Sequence, residues 1–148
     1  MRTIDEGVLI RDLRATCIHE YGHAAVAKHF RVPGVVSILE NPAGGENESF
    51  VVGQFMHLCD PASTHHARMI ALAGTVAEEI DREPGVAAPE IFEALTLRVV
   101  ELSDADAEHA GTYTEADVED CAELVRSLWL SIDAAARLEA GRFLRAQK

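Results

Sequence analysis

His19-Glu20-Tyr21-Gly22-His23 constrains this chain more than any other stretch, because its chemistry makes sense on one kind of backbone. On an α-helix, residues four apart share a face, one turn above the other. His19 and His23 can then offer their imidazoles to a single metal ion. Glu20 lies beside the first of them as a general base for an activated water, as in zinc hydrolases. Leu9, Leu13, Ile18, Ala24, Ala25, Ala27 and Phe30 supply the apolar surface such a helix needs, and Pro33-Gly34 is expected to stop it. The spacing predicts a helix over about 6–30. A pentapeptide pattern is short, so the remainder of the chain must bear on it.

With 148 residues the chain is expected to form one domain, residues 1–148, large enough for a core of its own. Aromatics are only 5% of it and alanine is plentiful, which points to an aliphatic, helix-rich core. The formal net charge of −12 argues against a nucleic-acid partner, since phosphate binding needs a basic surface, and disfavours anionic lipid. No apolar run reaches the roughly 18–20 residues of a bilayer span. The N-terminus lacks the basic-then-apolar pattern of a signal peptide, so the cytoplasm is the expected location. Cys17, Cys59 and Cys121 are odd in number and widely spaced, which suits buried reduced thiols.

Beyond the first helix, Val35–Leu39 reads as a strand rich in β-branched residues. A polar turn segment, residues 41–48, leads to a second strand over 50–56, its expected antiparallel hairpin partner. Gly53 within that strand suggests a bulge or a close backbone approach. Asp60-Pro61 looks like the N-cap and first residue of a helix reaching about Ile80, with Ile70, Leu72, Ala73, Val76 and Ala77 inward. A linker over 81–89, a helix over 91–102 and a further turn capped by Ser103 follow. Thr114-Glu115-Ala116-Asp117 is a capping-box start for one long last helix to about Ala146. The expected fold class is mainly α (α+β), with a small antiparallel hairpin packed on the first helix.

Several segments together resemble the peptidase domain of the FtsH family, the ATP-dependent zinc metallopeptidases of family M41. His19 through Ala24 match its H-E-x-G-H-A signature. Val36-Ser37-Ile38 and Val52-Gly53-Gln54 are similar to its short strands, and Ala73-Gly74-Thr75-Val76-Ala77-Glu78-Glu79 to its G-G-x-x-A-E-E helix end. Asp106 to Ala110 looks like the segment that carries the family's third ligand. The likeness runs from about Ala15 to Ala110. It implies a helical zincin-like domain, a Zn²⁺ cofactor held by His19, His23 and Asp106, and Glu20 as the catalytic base. The sequence departs from the family in having no Walker-type glycine loop and no transmembrane run, in placing Ala73 where the glycine pair is usual, and in being shorter. A stand-alone relative is therefore expected, without ATP-driven processive proteolysis.

The third ligand stays open between two aspartates. Ser103-Asp104-Ala105-Asp106 is itself a capping box, so Asp106 has a structural role available, and Asp104 in the same turn is the alternative ligand. His29 completes a metzincin-like spacing, but Val26 stands where the helix-breaking glycine belongs. A continuing helix turns His29 about 120° from His23. Cys17 lies too close before His19 to act as a deformylase-type ligand. Glu40, Glu78 and Glu79 remain conceivable ligands, while His57, His65, His66 and His109 read as core or surface histidines. Gly22 has a packing reason, a close approach by another element or by substrate.

The expectation is a zinc-dependent metallopeptidase acting on a peptide or protein substrate. The alternative is a catalytically inactive, metal-containing module that grips peptides or a partner. Leu124, Leu128, Ile132 and Leu138 on one stripe of the last helix are the feature that favours it. Iron, cobalt or manganese in place of zinc, a homo-oligomer, and a separate ATPase partner are all left open.

Overall fold

The computed structural model describes residues 5–44 and 48–147. The centre of the expected turn segment, residues 45–47, lies outside them. Helix α1, Glu6–His29, begins where Asp5 accepts a hydrogen bond from the Val8 N–H at 3.0 Å, a cap that contributes about 1 kcal/mol. It ends before Pro33-Gly34. Arg31 adopts a left-handed φ of 61°, and the Val32 N–H reaches back to the Ala27 carbonyl. That loop closes the orphan carbonyls of the last turn and drops Val32 into the core.

Strands β1, Gly34–Glu40, and β2, Val51–His57, form a two-stranded antiparallel sheet with Gly34 opposite His57 and Glu40 opposite Val51. Alternation sends Val36, Ile38, Val51 and Phe55 toward the helices, and leaves Val35, Leu39, Val52 and Met56 at least half exposed. Five helices follow: α2, Thr64–Arg82; α3, Ala88–Thr96; α4, Asp104–Ala110; α5, Glu115–Ser127; and α6, Trp129–Ala146. The architecture is mainly helical with one hairpin. No helix of the described residues is long and apolar enough to cross a membrane.

Helix α1 lies at the centre, against α2 on one side, α6 on another, and the hairpin on a third. Leu13, Cys17, Ile18 and Val26 from α1 meet Met69, Ile70, Leu72 and Val76 from α2 in the main core. The two helices approach closely where Gly22 faces Ala73 and Ala77. A Cβ on Gly22 would stand 2.8 Å from the Ala77 Cβ and 2.9 Å from the Ala73 carbonyl oxygen. The partner that needs this glycine is therefore α2. Arg14 ties the helices at the far end, bonding Asp81 of α2 and Asp133 of α6, each at 2.8 Å.

Three of the expected helices differ in their bounds. Helix α2 starts at Thr64, capped by the Ser63 hydroxyl on the His66 N–H, and Asp60-Pro61 lies outside it. The Leu58 N–H still bonds the Pro33 carbonyl, so hairpin pairing continues through Leu58 before the helix can begin. Helix α3 starts at Ala88, with Pro89 in its first turn, and stops at Thr96 because Arg98 turns left-handed at φ 57°. The expected long last helix is two, α5 and α6, broken at Leu128. There the Ser127 hydroxyl takes the Leu124 carbonyl at 2.7 Å, competing with the backbone ladder. The apolar stripe is split accordingly: Ile132 is buried, whereas Leu138 is 56% exposed.

Candidate metal centre

Two polar side chains of α1 are buried in a helix otherwise packed with aliphatic groups: Glu20 at 8% and His23 at 4% exposure. Burying such groups is costly unless something satisfies them. His23 donates from Nδ1 to the Ile70 carbonyl of α2 at 2.6 Å, and His19 donates from Nδ1 to Oε1 of Glu78, also on α2, at 2.7 Å. A carbonyl and a carboxylate only accept, so both Nδ1 atoms carry protons. In the neutral rings the two Nε2 atoms are then bare lone pairs.

Those lone pairs face each other. His19 Nε2 and His23 Nε2 are 3.0 Å apart, and Asp106 Oδ2 from α4 lies 3.5 Å from the first and 3.3 Å from the second. Among the described residues, these three side chains bring one ligand atom each to within 4.8 Å of one another. Three acceptors pointed at one spot repel unless a positive charge sits among them. A proton is the least that will serve. Burial alone would lower the His19 pKa, yet the carboxylates of Asp106 and Glu78, with Glu20 nearby, push it up to about 10. Burial likewise tends to raise the Asp106 pKa, but the two imidazoles outweigh it and hold that carboxyl well below its ordinary range.

Two nitrogen donors and one carboxylate oxygen, with an open side, make a donor set that could hold a divalent metal ion. The rest of the site fits such an ion. Gly74 of α2 sits against the pair, where a Cβ would lie 2.5 Å from His23 Nε2 and 2.6 Å from His19 Nε2. Glu78 and the Ile70 carbonyl supply the outer partners that fix imidazole tautomers in metal sites.

The open side is a cleft of about 530 Å³ lined by β2 residues 53–57, by Ile70 and Ala71, and by Ser103, Asp106 and His109. Glu20 lines it as well. Burial raises the Glu20 pKa, the imidazoles partly offset this, and the charges of Asp106 and Glu78 add to it. Gly53 lets β2 close over this group, since a Cβ there would come 2.6 Å from the Glu20 Cγ.

The structure thus brings His19, Glu20, His23 and Asp106 to one cleft. Asp104 lies in the same turn as Asp106 but is exposed and outside the cluster. His29 is exposed near the α1 C-terminus, its ring 5.0 Å from that of Phe30. Cys17 is buried, its thiol pushed up to about 12 chiefly by burial, and Cys121 is buried too, but Cys59 is exposed, contrary to expectation, in the segment after β2. Glu78 sits behind His19 on Nδ1, away from the shared face. His57 and His109 were expected to be bland, but both line the cleft with rings 5.9 Å apart. Burial and the neighbouring histidines lower the His57 pKa. No local signal marks His57, whereas His109 follows Asp106 by one helical turn and inherits its direction.

No protein-family model matches the chain, and no curated protein matches it.

Proposed function

We propose that the protein is a zinc-dependent metallopeptidase, a stand-alone relative of FtsH-type M41 peptidase domains. The observation that carries this reading is the convergence of His19, His23 and Asp106 on one point beside a buried glutamate, at the floor of an open cleft. His19, His23 and Asp106 would hold the ion. When bound, zinc supplies Lewis acidity, making water easier to deprotonate and a carbonyl easier to attack.

The chain's own residues supply the rest. Glu20, with its proton affinity raised by burial, takes a proton from the attacking water and returns it to the leaving amine. Glu78 and the Ile70 carbonyl hold the two imidazoles in the donor tautomer. Strand β2 is paired on one edge by β1, and residues 53–57 border the cleft along its length. An extended peptide fits there as an added strand, which sets its backbone across the floor of the site.

The test is cleavage of a quenched peptide library by zinc-loaded protein and by Glu20→Gln. Turnover by wild type, lost in the variant while zinc is retained, supports hydrolysis. Equal turnover by both, or none by either with one zinc per chain, contradicts it.

A further inference from the structure

Asp106 reaches the two histidines from α4, a helix of seven residues of which only Ala110 is buried. So short an element has little packing of its own to fix it, and its position is set at its ends. At the start, the Ser103 hydroxyl accepts from the Asp106 N–H at 3.1 Å. At the finish, Gly111 turns the chain at φ 60° and ψ −146°, a region closed to residues with a Cβ.

The last carbonyls of a helix have no partner inside it. One of them, that of Ala110, accepts from Nε of Arg68 at 2.9 Å. Arg68 belongs to α2, the helix that also places Ile70 behind His23 and Glu78 behind His19. Its guanidinium stands 3.8 Å from Asp117, whose carboxylate accepts from the Thr114 N–H at the start of α5. One planar cation therefore spans both sides of the α4–α5 turn from the helix that orients the imidazoles.

We infer that Arg68 is a positioning residue of the cation site, holding the end of α4 so that the Asp106 carboxylate meets His19 and His23. Asp106 and Ala110 are four residues apart and share a helix face, so a clamp on the Ala110 carbonyl limits the swing of Asp106. This rests on the reading of His19, His23 and Asp106 as the ligand set. A general structural clip would make a different prediction: its loss would lower stability without acting through Asp106.

The experiment measures Zn²⁺ and Co²⁺ affinity by chelator competition in wild type, Arg68→Met, Asp106→Ala and the double variant, with the cobalt visible spectrum alongside. Arg68→Met is expected to weaken binding by about 10- to 100-fold and to perturb the cobalt bands, as loss of an outer partner does. In the Asp106→Ala background the same change is expected to do nothing further. Arg68→Lys, which keeps the charge but gives up the planar fork, serves if Arg68→Met does not fold, and is expected to show the same dependence on Asp106. Affinity within about twofold of wild type, or an equal loss with and without Asp106, overturns the inference. A wild type that binds neither ion overturns the ligand reading itself, a result that the comparison between variants cannot mimic.

Discussion

His19 Nδ1 lies 2.7 Å from Glu78 Oε1, across 59 residues of sequence, and this contact decides which nitrogen of His19 faces Asp106. A carboxylate behind an imidazole fixes its tautomer and raises its basicity as a ligand. Replacing Glu78 by Ala is therefore expected to weaken zinc binding by about 10- to 100-fold, measured by chelator competition, with a smaller loss than Asp106→Ala. Equal affinity in Glu78→Ala and wild type would mean the contact is incidental.

The metal-free cage must hold a proton, and that gives its pH dependence a sign. The His19 pKa is raised to about 10 when folded against an ordinary 6.5. The corresponding stabilisation is complete below 6.5 and disappears as pH rises through 10. Thermal melts of the metal-free protein are expected to fall across that window, and those of His19→Ala to be flatter. A zinc ion needs the neutral ring, so its uptake at about pH 8 is expected to release close to one proton. Calorimetry in buffers of different ionisation enthalpy measures this, and no buffer dependence would count against a protonated cage.

Gly22 and Gly74 separate packing from ligation. Alanine at 22 pushes α1 from α2 and is expected to lower stability by about 1–3 kcal/mol. Alanine at 74 strikes both Nε2 atoms and is expected to abolish tight zinc binding. Denaturant melts and zinc titrations of the two variants check the contrast. Similar affinity in Gly74→Ala and wild type would contradict the placement of the rings.

Arg14 is expected to matter to stability alone. It bonds two carboxylates in a partly buried setting and touches none of the groups around the histidines. Arg14→Met is expected to cost about 2 kcal/mol in urea unfolding, with zinc affinity unchanged. Arg14 and Arg137 lower the Asp133 pKa below its ordinary 3.8, although burial works the other way. That contribution is present above 3.8 and fades as pH falls below it, so the variant's acid unfolding is expected to be less steep.

Local periodicity made the first helix and its histidines legible, because a single spacing rule places His19 and His23 on one face. The hairpin was legible from its β-branched runs and turn residues. Asp106 came only through a likeness to known peptidases, since an aspartate in a capping position has an ordinary role of its own. Glu78 and the Ile70 carbonyl had no local signal as partners, because those contacts join residues 59 and 47 apart and depend on how α1 crosses α2. The helix boundaries failed for a related reason. Asp60-Pro61 and Ser63 are two start signals in series, and the continuing hairpin selects the second. The break at Leu128 has neither proline nor glycine to announce it.

Metal content by mass spectrometry, on protein purified with zinc supplied, bears most directly on whether two neighbouring histidines and a distant carboxylate form one cation site. One zinc per chain is predicted for wild type and for Asp104→Ala, and substantially less for Asp106→Ala. Zinc-free wild type, or an Asp106→Ala variant as fully loaded as wild type, would contradict it.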